Sequence, residues 1–338
     1  MEQREKENLL SVRNLEISYE TDAGKVYAVN HVDLDLCKGE TLGLVGETGA
    51  GKTTISLGIM GLVPNPPGKI RNGEIFLEGQ DLLKTPEHEM RKIRGKKISM
   101  IFQDPMTSLN PIDTVGEQIA EVILLHEKCS RAEAHRKAID MMEMVGIPGE
   151  RFGEYPHQFS GGMKQRIVIA IALACQPELL IADEPTTALD VTIQAQVLEM
   201  MDGLKKKLGT SMILITHDLG IVAETCDRVA IIYAGEIVET GTAEHIFDFT
   251  MHPYTKGLFG SLPSVAGEAK RLTPIPGMMP NPMELPKGCK FAPRCQYKTA
   301  RCEEEQPVLA EMAPGHLVRC FAVQDGTCQP ERQKEDEL

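Results

Sequence analysis

Residues 46–53 read Gly46-Glu47-Thr48-Gly49-Ala50-Gly51-Lys52-Thr53, with Thr54 next, between an apolar run (Thr41–Val45) and a helical pattern over Lys52–Leu62. Glycines at this spacing let successive backbone N–H groups turn inward, and a helix start adds its own unpaired N–H groups, so the segment reads as a nest for phosphate. The Lys52 ammonium would reach the β- and γ-phosphates of a nucleoside triphosphate, and the Thr53 hydroxyl would bind Mg2+. Such a site needs a further carboxylate for the metal. The run Leu179-Leu180-Ile181-Ala182-Asp183-Glu184 supplies two acids at the end of a buried strand. Asp183 would hold Mg2+ through water, and Glu184 would polarise an attacking water as general base. A third run, Ser211–Thr216, carries His217 to the same strand edge, where parallel sheets bind ligands, and so beside the γ-phosphate. Gln103, after the apolar run Ile98–Phe102, could reach the metal or the water.

A second helix opens at Ser160-Gly161-Gly162-Met163. Ser160 is a good N-cap, and the two glycines leave N–H groups open to an anion. The pattern over Met163–Ala174 is apolar nearly all round after Arg166, which buries the helix and holds it rigidly. One γ-phosphate hardly uses two helix ends from one chain. A head-to-tail pair, with the nucleotide sandwiched between unlike ends of two chains, uses both.

These residues need a frame to position them. Alternating apolar residues (Leu10, Val12, Leu15, Ile17; then Val29, Val32, Leu34, Leu36) predict antiparallel strands around the turn Thr21-Asp22-Ala23-Gly24. Helical patterns over Val115–Leu125, Arg131–Val145 and Met163–Ala174 interrupt the strands, and Leu179–Ala182 and Met212–Ile215 read as buried parallel strands. The outcome is an α/β nucleotide-binding domain over 1–251 with a helical subdomain at about 105–174. Prolines crowd from residue 252 on, which sets 252–338 apart as a smaller extension. The net charge of -13 argues against nucleic acid as a main partner. The N-terminal residues are charged, without the apolar core of a signal peptide, and Ile167–Cys175 falls far short of the roughly 18 residues that span a bilayer. The expectation is a cytoplasmic chain that reaches a membrane through partners.

With these residues in view, the chain resembles the nucleotide-binding subunits of ABC transporters over residues 9 to about 250. The phosphate loop, Gln103, Phe159-Ser160-Gly161-Gly162, Asp183-Glu184, Ala188-Leu189-Asp190 and His217 come in that family's order. The resemblance implies a P-loop ATPase core with an N-terminal antiparallel β subdomain and a helical insertion. It implies that Tyr19 stacks on adenine, that Gln103 links nucleotide to the membrane subunit, and that Asp190 joins Ser160 to Met163 in contacting the partner chain's ATP. Met163 departs from the glutamine usual in the family. Ile101–Pro111, Asp183–Asp190 and His252-Pro253-Tyr254-Thr255 are similar to oligopeptide/dipeptide importer ATPases of the D type. That implies ATP hydrolysis coupled to peptide import, a heterodimer with an F-type ATPase, two membrane permease subunits, an extracytoplasmic binding protein and a place on the cytoplasmic face of the membrane. Importers of nickel, glutathione or another solute share this subunit type, and a soluble ABC ATPase is the further alternative.

The sequence holds nine cysteines. Cys289, Cys295, Cys302 and Cys320 crowd into the extension without a Cys-x-x-Cys pair, unlike a zinc ribbon or common ferredoxin runs. Lys290, Arg294, Lys298, Arg301 and Arg319 beside them would suit an anionic cluster and lower the thiol pKa values. Bound zinc and free thiols stay open as alternatives. The resemblance extends to this tail and implies a [4Fe–4S] cluster on these four residues, with Cys328 outside it.

Overall fold

The computed structural model describes residues 7–103, 105–187, 189–261 and 274–330. Asp104, Ala188 and Pro263, all part of segments singled out in the sequence, lie outside them. The chain forms two compact units. One is built chiefly from Leu36–Thr41 and Glu78–Thr216; the other takes Leu10–Asp35, Leu42–Leu77 and the chain from His217 on.

The first unit holds three parallel strands, Ile98–Ile101, Leu179–Asp183 and Ser211–Ile215, with Leu179–Asp183 in the middle. Every residue of the last two is buried. Their unbroken apolar runs, which lack the polar alternation of a half-exposed strand, require burial on both faces. Helices Val115–His126 and Arg131–Met144 fall within a residue or two of their sequence patterns. Each opens on a hydroxyl cap with glutamate three residues on: Thr114 accepts from the Glu117 N–H and Ser130 from the Glu133 N–H. Helix Gly161–Leu173 is capped by Ser160, and helix Val191–Leu208 by Asp190.

In the second unit, strand Asn8–Thr21 lies between Gly24–Cys37 and antiparallel Gly68–Leu77. Leu10, Val12, Leu15 and Ile17 are all buried although the spacing changes from two to three. A register irregularity between Arg13 and Glu16, with Asn14 at φ 46, absorbs the extra residue and keeps both pairs on one face. Strand Thr41–Val45 runs parallel to Arg228–Tyr233, which continues antiparallel through Glu236–Thr242 and His316–Val318 to Ala310–Ala313. The proline-rich extension thus adds strands to a sheet edge, which its composition did not announce. Helix Lys52–Ile59 stops earlier than its pattern, because Gly61 takes a left-handed φ of 62 and Pro64 follows. Among the described residues no helix is long and apolar enough to cross a membrane.

Glu239 ties this unit to its extension. It is fully buried, and its carboxylate accepts the Met251 N–H at 2.8 Å and the His252 N–H at 3.0 Å and pairs with His316 Nε2 at 2.8 Å. His252 in turn accepts the Tyr254 N–H at 3.0 Å and so caps helix Pro253–Gly260. Glu239→Ala strands two buried backbone N–H groups and is expected to cost about 2–4 kcal/mol in chemical denaturation of the full chain.

Candidate nucleotide site

In the second unit the phosphate loop connects strand Thr41–Val45 to helix Lys52–Ile59. No side chain caps that helix start, because Gly51 holds the cap position at φ 105, a backbone shape that other residues rarely adopt. A Cβ at Gly46 would overlap the Ile232 carbonyl, and one at Gly51 would overlap the Ala28 carbonyl. The loop therefore lies flush on strands Arg228–Tyr233 and Gly24–Cys37. Thr48, Gly49 and Thr53 are exposed, Thr54 is half-buried and Ala50 is buried. Lys52 is only 7% exposed, and its ammonium donates to the carbonyls of Gly46 (2.6 Å) and Glu47 (3.1 Å), so the positive charge is held inside the loop. Tyr19 is half-buried, its ring against Gly68. His217 is exposed, next to Asp218, which caps helix Leu219–Thr225.

The first unit gathers the acids. Asp183 is buried at the end of its strand. Glu184 follows at φ 48, a left-handed conformation costing a non-glycine residue about 1–2 kcal/mol. Its N–H donates to the Ile215 carbonyl at 2.9 Å, which fixes the turn. Gln103 Nε2 donates to Glu184 Oε2 at 2.7 Å, and Thr187 Oγ1 donates to the same oxygen at 3.1 Å. A strained backbone and two donors aim this carboxylate in one direction. The sequence reading brought Gln103 and Glu184 to one site but assigned nothing to Thr187. It also passed over Gln165, buried in the signature helix, whose Nε2 donates to the Pro185 carbonyl. Ser160 accepts from the Met163 N–H at 3.4 Å and Asp190 from the Ile193 N–H at 3.0 Å. A Cβ at Gly161 would make only an ordinary contact, 3.9 Å from Leu189 Cδ2, whereas one at Gly162 would sit 2.7 Å from Ile193 Cγ2.

None of the nine cysteines is in a disulfide. Cys289, Cys295, Cys302 and Cys320 line one small cavity with His252, Phe291 and Phe321. Its free volume of about 10 Å³ is roughly that of one water. The expectation of lowered thiol pKa values is overturned. Burial pushes Cys289 up to about 11 and Cys320 up to about 12, and raises Cys295 as well. The neighbouring cations are committed elsewhere. Lys290 donates to the Pro286 and Gly288 carbonyls, Lys298 pairs with Glu303, Arg301 with Glu305, and Arg319 donates to the Ile237 and Pro307 carbonyls. Arg294 turns to Glu47 in the phosphate loop. The Tyr297 N–H instead donates to the Cys295 sulfur at 3.4 Å. Among the described residues no three His, Cys, Asp or Glu side chains are placed to hold a single metal ion. Cys328 does not line that cavity but packs beside it, in an apolar cluster that holds Met251, Val318 and Cys320.

Residues 29–187 match the ABC transporter family, and residues 238–302 match the C-terminal region of oligopeptide/dipeptide transporters. The chain is 51% identical to the dipeptide transport ATP-binding protein DppD of Bacillus subtilis, over 93% of this chain and 95% of that one. It is 47% identical to the oligopeptide transport ATP-binding protein OppD of Escherichia coli, over 94% of each. Among solved structures it is similar to the ATP-binding cassette MJ0796 in a dimeric post-hydrolysis state bound to ADP and Pi. That likeness has a TM-score of 0.63 at 26% identity and covers 70% of this chain and 99% of that one. The fold expected from the sequence is thus borne out as that of a cassette ATPase.

The close approach of Ile193 makes the signature helix sensitive to a single methyl. Gly162→Ala is expected to lower stability by about 1–3 kcal/mol through overpacking, whereas Gly161→Ala, whose methyl meets no close contact, stays within about 1 kcal/mol of wild type. Thermal unfolding of the two variants side by side checks this.

Proposed function

We propose, from the premise that the chain belongs to the ABC transporter family and to its oligopeptide/dipeptide branch, that it is the ATP-hydrolysing subunit of a peptide importer. The observation that carries the catalytic part of the reading is Glu184. It follows a buried acid-bearing strand, sits in a strained backbone conformation, and has one oxygen fixed by both Gln103 and Thr187. A carboxylate so aimed can take a proton from a water directed at the γ-phosphate. In this reading the phosphate-loop amides and Lys52 bind the β- and γ-phosphates, while Thr53, Gln103 and Asp183 hold Mg2+. Tyr19 carries adenine and His217 contacts the γ-phosphate. Ser160, Gly161, Gly162, Met163 and Asp190 face the ATP of a second cassette, so ATP binding closes a dimer and hydrolysis reopens it.

The dimer partner in this reading is an F-type ATPase subunit. The pair docks on two permease subunits at the cytoplasmic face of the membrane, fed by an extracytoplasmic binding protein. Peptide cargo is favoured over nickel or glutathione by the relatives, which are dipeptide and oligopeptide transport proteins. Glu184→Gln is expected to keep MgATP affinity while losing at least about a hundredfold in turnover, since only the proton acceptor changes. A variant that hydrolyses ATP at the wild-type rate would remove Glu184 from this role.

The same reading gives Cys289, Cys295, Cys302 and Cys320 a [4Fe–4S] cluster, which requires only that the four thiols lose their protons and the cavity walls spread. Protein purified without oxygen is expected to be coloured and to carry iron and acid-labile sulfide. Colourless, iron-free and folded protein would exclude the cluster.

A further inference from the structure

The phosphate loop carries an acid where it must attract a polyanion. Glu47 directly follows the first glycine of the loop, and a carboxylate there repels a nucleotide triphosphate unless another charge cancels it. Arg294 supplies that charge. One guanidinium nitrogen donates to both Glu47 oxygens, at 3.0 and 3.1 Å. The arginine side chain is only 6% exposed. Its Nε donates to the Pro276 carbonyl at 2.9 Å, and its Nη2 to the Ile275 carbonyl at 3.4 Å. The Tyr233 hydroxyl accepts a further bond at 3.4 Å. The Glu47 backbone is held from the same side, its N–H donating to the Tyr254 hydroxyl at 3.0 Å. The Tyr233 and Tyr254 rings stand 4.6 Å apart with Phe291 against both.

We infer that Arg294 is a positioning residue for ATP binding: it neutralises Glu47, so that the extension sets the nucleotide affinity of a loop far away in sequence. Arg294 acts through Glu47 and contacts no phosphate itself. This makes the arginine's effect conditional on the glutamate's charge, which a purely structural residue's effect would not be. The inference rests on the loop being the ATP site.

The test is a double-mutant cycle on the full-length chain, with MgATP binding read by a fluorescent ATP analogue and folding by thermal melts. Wild-type protein that binds no MgATP would overturn the nucleotide reading itself. With wild type binding, Arg294→Ala is expected to weaken affinity about tenfold, as for exposing one unpaired charge. In the steady state this loss falls on KM for MgATP rather than on kcat. Glu47→Gln added to Arg294→Ala is expected to return affinity to within about threefold of wild type, because the repelling charge is gone. Arg294→Met keeps an unbranched aliphatic stem in the buried site and is run in parallel, so the cycle survives if the alanine variant does not fold. Wild-type affinity in a folded Arg294 variant, or a loss that Glu47→Gln does not reverse, overturns the inference.

Discussion

A polyanion can be held by backbone amides only where the chain runs free of side chains, and in this protein that requirement is met by contact. Gly46 and Gly51 press against the carbonyls of Ile232 and Ala28, leaving no room for a Cβ at either position. The loop is therefore fixed by the two strands under it, and its lysine folds inward over its own carbonyls. The Tyr254 hydroxyl, which accepts the Glu47 N–H, holds the same backbone path from the side of the extension.

The first unit meets a different demand with similar means. The Glu184 carboxylate is made to point one way, as the proposed role of general base would require, by a left-handed backbone, a bond from its N–H to the Ile215 carbonyl and two donors on a single oxygen. Gln165 ties the signature helix to the turn after that glutamate through the Pro185 carbonyl. The same helix start that is suited to an anion is thereby linked to the carboxylate that would activate water.

The extension is more closely joined to the ATPase than its proline-rich sequence suggests. Glu239 gathers Met251, His252 and His316, Tyr254 meets the phosphate loop, and two short strands complete a sheet edge. The His252-Pro253-Tyr254-Thr255 segment thus has a structural reason: one residue caps a helix and another receives the Glu47 N–H. Cys289, Cys295, Cys302 and Cys320 lie beside this junction and line one small cavity, in which burial raises the thiol pKa of Cys289 and Cys320.

Spacing along the chain was enough to recognise the glycine loop, the acid pair after an apolar run, the helix capped by Ser160 and several of the strands and helices around them. These are local patterns, in which a few consecutive residue types dictate backbone shape. The partners of those patterns were not legible. Thr187 lay in a quoted motif without a role, and Arg294 was read as a charge for the thiols beside it in sequence. The fold instead sends its guanidinium to Glu47, 247 positions away. Thiol pKa values were misjudged for the same reason: adjacency suggested cations, whereas burial and the direction of each side chain set the outcome. Sequence determined which groups exist and the shape of the segments that carry them. Only tertiary structure decided which charges meet, because an ion pair depends on distance through space, and that is fixed by how the strands stack.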